Sequence, residues 1–238
     1  MTAPTPQRIA RATGVAYLGI IVTGIFAEFV VRMSLVKQGD AAATASNIAG
    51  SADLFRIGLT ADIVMIALDV GVAVGLYTLL RDVHRPLAVL ATALRLIQAA
   101  VLGANLMNMV EALQWATRST GADGIAARSA QEMVLASMEV HRMTYDLGLV
   151  FFGLACLALG HLLRVSRLLP RLLGIGLSVA GVVYLIGSFA VVLAPAVAPN
   201  LDLMYGLALA AELAVASRLT TKGVAATATT QAPFVAPV

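Results

Sequence analysis

Long apolar segments alternate with short polar ones along the chain, and this pattern predicts a helical membrane protein. A helix needs about 20 apolar residues to cross a bilayer. Segments of this kind cover residues 13–31, 56–81, 87–115, 143–163, 171–193 and 201–219. The predicted fold class is all-α: a bundle of six transmembrane helices forming one domain over residues 1–219, with a disordered cytoplasmic tail at 220–238.

Two polar segments between the spans are predicted to form short extracytoplasmic surface helices. Asp40 can cap a helix that runs through Ile48 and ends at Gly50. The second amphipathic segment, residues 125–140, continues into the fourth span. Pro86 and Pro170 suit the first turns of the helices that follow them, where a missing N–H has no consequence.

Composition supports the membrane assignment and narrows the partners. Only 12% of the residues are charged and 60% are hydrophobic, against about 25% charged in soluble domains. The net charge is +3, but the charges form no basic stripe, so no nucleic-acid partner is expected. The expected partners are the lipid bilayer and either a second copy of the chain or another membrane protein.

The positive residues orient the spans, because cytoplasmic loops carry an excess of arginine and lysine. Nine fall on one side: Arg8, Arg11, Arg81, Arg85, Arg164, Arg167, Arg171, Arg218 and Lys222. Four fall on the other: Lys37, Arg56, Arg118 and Arg128. Both termini are therefore predicted to be cytoplasmic. Abundant arginine and alanine indicate a GC-rich bacterial genome, and hence a bacterial inner membrane.

Two carboxylates interrupt the second span. Asp62 and Asp69 are seven residues apart, which places them on nearly the same face of a helix. A carboxylate that faces lipid is costly, so this face is expected to look at protein or water. The hairpin turn near residue 84 places Gln98 of the third span level with Asp69, and Asn105 level with Asp62. A polar ladder is predicted inside this hairpin.

Arg95 lies about one helical turn from the level of Asp69, and its depth from the cytoplasmic end matches that of Glu212. It could bridge both acids. The candidate intramembrane polar site comprises Asp62, Asp69, Arg95, Gln98, Asn105 and Glu212. Two interpretations stay open: the ladder holds helices together, or it forms a substrate or proton site.

A second group of polar residues lies toward the predicted outer face, and Glu28–Arg32 and Arg142–Asp146 have the spacing of helical ion pairs. The candidate outer vestibule comprises Glu28, Arg32, Arg56, Glu111, Arg142 and Asp146. These residues either line an entrance for a polar ligand or pair with one another among lipid headgroups.

No cofactor, metal or catalytic residue is predicted. The topology separates His84 and His161 from His141, and neither a zinc-protease HExxH motif nor a GxSxG elbow is present. Cys156, the one cysteine, lies inside an apolar span, as expected of a small core residue. An enzyme is therefore the least favoured class. Gly71 and Gly75 form a GxxxG motif suited to close helix packing.

Three long blocks resemble one family: GDAAATASNIAGSADLFRIGLTADI, GLVFFGLACLALG and RLLPRLLGIGLSVAGVVYLIGSFAVVLAP. They are similar, in order, to the domain of unknown function 4386 family, whose members are bacterial membrane proteins with six spans. The resemblance runs over residues 8–219. It implies an integral membrane protein and assigns no catalytic or ligand residue.

The sequence leaves the function open between two main classes. A structural, interaction or envelope-associated membrane protein is favoured, because all eight prolines lie outside the span interiors and the two halves show no repeat, unlike many transporters. The alternative is a small proton-coupled transporter that uses the intramembrane aspartate and arginine residues. A fully paired ladder would favour the first class, and a ligand-sized polar site reaching Asp69 would favour the second.

Overall fold

The computed structural model describes residues 5–194, 196 and 202–225, and within these ranges the chain is helical with no strand. The elements are α1 Pro6–Ile25, a π-helical segment Phe26–Arg32, α2 Met33–Leu35, α3 Ala41–Gly50, α4 Ala52–Leu80, α5 Arg85–Ser119, α6 Gly124–Ser166, α7 Arg171–Leu193 and α8 Asp202–Thr221. The predicted all-α class is confirmed.

Five helical stretches of the described residues are long and apolar enough to cross a membrane: Pro6–Leu35, Ala52–Leu80, Arg85–Ser119, Gly124–Ser166 and Arg171–Leu193. They match the first five predicted spans, except that the second ends at Leu80 and not at residue 81, and they indicate a membrane protein. The predicted sixth span corresponds to α8, which is not among the five.

Large apolar side chains on these helices remain exposed, as lipid-facing residues would be. On α7 they recur every three or four residues, which places them along one face of the helix. The stripe consists of Leu172, Ile175, Val179, Val182, Ile186 and Phe189. In water such an apolar face would favour aggregation, whereas in a bilayer it can contact lipid.

The local signals at helix starts are confirmed. The Asp40 side chain accepts a hydrogen bond from the Ala43 amide at 2.9 Å and caps α3. Pro86 is the second residue of α5, and Pro170 immediately precedes α7. The predicted surface segment 125–140 is the first part of α6, which continues without a break into the fourth span.

Contacts within the chain define two compact units. Unit 1 contains the described residues within 1–18, 69–98 and 149–238. Unit 2 contains residues 19–68 and 99–148.

In unit 1, α6 and α7 approach each other at paired glycines. A Cβ built on Gly181 would lie 2.6 Å from the Gly153 carbonyl oxygen, and one built on Gly160 would lie 2.6 Å from the Gly174 carbonyl oxygen. Small residues at such points let helix backbones touch. The GxxxG motif Gly71–Gly75, for which close helix packing was predicted, is not part of this contact. Gly75 packs against Thr13, whereas Gly71 has open space around it.

Unit 1 also includes the end of α8 and the residues after it. The Gln7 side chain donates to the Lys222 carbonyl oxygen at 2.8 Å, and the Ala225 amide donates to the Leu168 carbonyl oxygen at 3.1 Å. Residues 220–225, the start of the predicted tail, are therefore helical or hydrogen-bonded. The rest of that tail, residues 226–238, lies outside the described residues.

Unit 2 has its own apolar core. Phe55, Ile48, Val31, Met109 and Val134 are fully buried and belong to one cluster. Since Ile48 lies on α3, this short helix packs into the core by its apolar face.

Candidate functional site

The centre of unit 1 contains a buried ion pair. Arg95 of α5 is 1% exposed and Asp69 of α4 is 4% exposed. Arg95 Nη2 donates to Asp69 Oδ1. The guanidinium carbon lies 5.3 Å from the ring centroid of Tyr17 and 5.0 Å from that of Phe152. Aromatic rings at this distance attract a cation.

This pair does not use all of its hydrogen-bonding groups. Within the described part of the chain, Arg95 Nε, Arg95 Nη1 and Asp69 Oδ2 are buried without a partner. A buried polar group without a partner costs about 1–3 kcal/mol, so native proteins keep few of them. The pair therefore has two donor nitrogens and one acceptor oxygen that could bind another polar group.

Glu212 of α8 lies next to this pair and is bound by two tyrosines. Tyr17 Oη is 2.8 Å from Glu212 Oε2, and Tyr184 Oη is hydrogen-bonded to Glu212 Oε1. Glu212 is 6% exposed and lies within electrostatic range of both Arg95 and Asp69. Both carboxylate oxygens of Glu212 thus have a partner.

Aromatic contacts join these groups into one cluster. The ring centroids of Phe152 and Tyr184 are 5.3 Å apart, and those of Tyr184 and Tyr205 are 5.7 Å apart. The Arg95 cluster is defined here as Tyr17, Asp69, Arg95, Phe152, Tyr184 and Glu212. Each member comes from a different helix, α1, α4, α5, α6, α7 and α8 respectively. The cluster contains one more acidic than basic side chain.

A second charged group lies in unit 2. Arg32 Nε is 2.7 Å from Glu28 Oε2, and Arg32 Nη1 is 2.6 Å from Asp62 Oδ2. Arg32 and Asp62 are buried, whereas the Glu28 side chain is half exposed. Asp62 Oδ1 has no partner among the described residues. These three residues are the Arg32 cluster.

The π-helical segment Phe26–Arg32 carries both Glu28 and Arg32. A π-helical turn holds an extra residue compared with an α-helical turn, and such turns occur frequently at functional sites. The insertion changes the direction in which side chains project after it. Arg32 at its end thereby reaches Asp62, a residue of α4 that is 30 positions away in the sequence.

Asn105 and His141 form a separate polar contact in unit 2. Asn105 Nδ2 donates to the His141 carbonyl oxygen at 2.9 Å, and Asn108 Nδ2 donates to Asn105 Oδ1 at 2.9 Å. His141 Nδ1 lies 3.5 Å from the Asn105 carbonyl oxygen. These bonds tie α5 to α6.

The predicted polar ladder between α4 and α5 does not form. Asp62 pairs with Arg32, and Asn105 bonds to the backbone of His141. Of the described residues, none is hydrogen-bonded to Asp69 Oδ2 or Gln98 Oε1. Counting residues from the hairpin turn gives the position of a residue along its helix. The rotation of each helix about its axis decides which side chains meet. The long Arg32 side chain reaches Asp62 and supplies an opposite charge, which an amide cannot.

Of the two bonds predicted for Arg95, to Asp69 and to Glu212, one is present. Arg95 bonds to Asp69, as its position along the hairpin indicated, but the hydrogen-bond partners of Glu212 are Tyr17 and Tyr184. Sequence reasoning missed both tyrosines. The signal available was a hydroxyl in the middle of an apolar segment, because a buried tyrosine O–H needs a partner.

The predicted outer vestibule is partly assembled. Glu28 and Arg32 are together in unit 2. Arg56 pairs at 2.7 Å with exposed Asp53, and Glu111 accepts from Trp115 Nε1 at 3.3 Å. Arg142 is exposed on α6 and Asp146 is half-buried there.

Among the described residues, no group of three histidine, cysteine or acidic side chains could hold a metal ion.

Comparison with known proteins gives one match. The model of the family described as "Domain of unknown function (DUF4386)" matches residues 12–223. No curated protein and no solved structure matches the chain. The matched residues include every member of both clusters.

Proposed function

The chain belongs to the DUF4386 family, whose description names no activity, and we propose that it is a small carrier of polar solutes in a bacterial inner membrane. In this proposal α1, α4, α5, α6, α7 and α8 cross the bilayer, so the protein has six spans. Both termini are cytoplasmic, since the side that holds them has nine positive residues against four.

The observation that supports this function is the incomplete pairing of Arg95 and Asp69. A buried arginine that only braced helices would be expected to use more of its five N–H groups. Here Nε and Nη1 remain buried without a partner among the described residues, as does Asp69 Oδ2. A small solute carrying an acceptor and a donor would supply the missing partners.

The charge of the Arg95 cluster supports coupling of transport to protons. Ionisable residues in membrane helices are rare and mark substrate and ion pathways. The cluster has two carboxylates for one guanidinium, so within the cluster one acidic group has no opposite charge. A carrier can use such an excess charge to bind a proton together with its solute.

The test is stabilisation of the purified protein by a panel of metabolites. A compound that binds only the native state raises the apparent unfolding temperature. We expect at least one small polar metabolite to do so. Arg95→Lys keeps the charge but removes the guanidinium donors, and it should lose this stabilisation. Arg56→Lys, in the exposed pair with Asp53, is the matched control and should keep it.

Two outcomes would contradict a carrier that binds its solute at Arg95. They are the absence of any stabilising compound, and equal stabilisation of the wild type and Arg95→Lys. A compound that passes should then be taken up by proteoliposomes when a pH gradient is imposed.

The structural or interaction role expected from the sequence is the second candidate. Its supporting observation is that six helices each contribute one side chain to the Arg95 cluster. Such a cluster could hold an envelope-associated bundle together, with lipid and a second copy or another membrane protein as partners. In that case the variant Asp69→Ala/Arg95→Met would fold, and no solute would stabilise either protein.

A further inference from the structure

The Arg95 cluster contains one more acid than base, and this excess lies among buried aromatic rings. A buried ionised carboxylate without a compensating charge is strongly unfavourable. One of the two acids, Asp69 or Glu212, is therefore the one that carries a proton when no other cation is bound. The hydrogen-bond partners of the two acids decide which one.

The partner of Asp69 can only donate. A guanidinium has five N–H donors, no acceptor, and a permanent charge. Arg95 Nη2 bonds to Asp69 Oδ1, so protonating Asp69 would leave the arginine charge without its counter-ion. Breaking one side of a buried ion pair is strongly destabilising. The geometry keeps Asp69 ionised.

The two partners of Glu212 can each donate or accept a hydrogen bond. A tyrosine hydroxyl donates one hydrogen bond and also accepts. When Glu212 is ionised, Tyr17 and Tyr184 both donate to it. When Glu212 is protonated, it donates to one tyrosine oxygen and still accepts from the other tyrosine. Both carboxyl oxygens keep a partner in both states.

We propose that Glu212 is the residue that binds and releases the coupled proton, an inference that rests on the proposed carrier function. A proton from water adds to the carboxylate to form the carboxylic acid, and the reverse step returns it to water on the other side. Among the described residues, the charged and titratable groups that interact with Glu212 come from five helices. They are Tyr17 of α1, Asp69 of α4, Arg95 of α5, Cys156 of α6 and Tyr184 of α7.

Infrared difference spectroscopy of the full chain in lipid vesicles tests this assignment without any solute. A protonated carboxylic acid has a C=O stretching band that a carboxylate lacks, and the band shifts in D2O. We expect one such band in the wild-type protein on going from alkaline to mildly acidic pH. Glu212→Gln should abolish it. Glu111→Gln, which changes an exposed acid, should leave it intact.

A second variant keeps the assignment testable if Glu212→Gln does not fold. Tyr184→Phe removes a hydrogen bond from Glu212 and touches neither Asp69 nor its bond to Arg95. The band should therefore move in frequency. A band that survives Glu212→Gln, a band unmoved by Tyr184→Phe, or no band between alkaline and mildly acidic pH would each refute the assignment. Failure of the carrier proposal would instead be seen as an absence of solute-dependent stabilisation.

Discussion

Tyr17 Oη lies 2.8 Å from Glu212 Oε2, a contact between residues 195 positions apart in the sequence. The ring of the same tyrosine lies 5.3 Å from the guanidinium carbon of Arg95. One side chain therefore touches both charged parts of the Arg95 cluster. It binds the carboxylate through its hydroxyl and the cation through its ring.

Tyr17→Phe separates these two contacts, because phenylalanine keeps the ring and loses the hydroxyl. Glu212 would keep Tyr184 as its partner and lose one hydrogen bond. We expect the free energy of unfolding to fall by about 1–3 kcal/mol, measured by denaturation in mixed micelles. Tyr77→Phe, at a half-buried position of α4, is the control. Equal effects of the two changes would show that the Glu212 contact contributes nothing.

The Asp69–Arg95 pair should show strong coupling in a double-mutant cycle. Asp69→Ala alone leaves a buried positive charge and should cost about 3–5 kcal/mol. Asp69→Ala combined with Arg95→Met should cost less than the sum of the two single changes. The exposed pair Asp53–Arg56 is the matched control, with an expected coupling below about 1 kcal/mol. Additive losses at Asp69 and Arg95 would contradict the pairing.

In the Arg32 cluster, the two acids should differ in importance. Asp62 is buried and the Glu28 side chain is half exposed, although both bond to Arg32. Asp62→Asn is expected to cost about 3–5 kcal/mol of unfolding free energy, and Glu28→Gln below about 1 kcal/mol. Unfolding of both variants in the same micelles gives the comparison. The reverse order would mean that Glu28 is the main counter-ion of Arg32.

Alanine should be tolerated at open glycines and not at the contact between α6 and α7. A Cβ at Gly181 would lie 2.6 Å from a backbone oxygen that cannot move away easily. Gly181→Ala should therefore destabilise the protein by about 1–3 kcal/mol. Gly71→Ala has open space and should be neutral or stabilising by about 0.5–1 kcal/mol. Thermal unfolding of the two variants side by side decides.

The topology prediction needs only reporter fusions. Fusions at Met1 and Val238 should both report a cytoplasmic location, because six spans return the chain to its starting side. A periplasmic signal at one end would mean an odd number of crossings. In that case α8, which lies outside the five helices long and apolar enough to cross, would be the first to be reassigned.

Most of the helix assignment could be predicted from local sequence. The cap at Asp40 and the helix starts near Pro86 and Pro170 depend on a few neighbouring residues, so they can be identified without tertiary information. The π-helical segment Phe26–Arg32 was not predicted. It has no strong local signature, and it is the element that aims Arg32 at Asp62.

The burial of the candidate residues was predicted more successfully than their contacts. Asp62, Asp69, Arg95 and Glu212 are all buried, as expected for ionisable residues inside apolar helices. Their partners were mostly different from the predicted ones. The level of two residues in a hairpin follows from counting, but the rotation of each helix about its axis does not.

By itself, the sequence determined that this chain forms apolar helices and that a few ionisable side chains must be buried between them. Both conclusions follow from hydropathy and from the 3.6-residue repeat, which are properties of a single segment. Only the tertiary structure decided that Arg95 pairs with Asp69 while Tyr17 and Tyr184 bind Glu212. That choice depends on how closely helices pack, for example where Gly153 meets Gly181, and on which faces then turn toward one another.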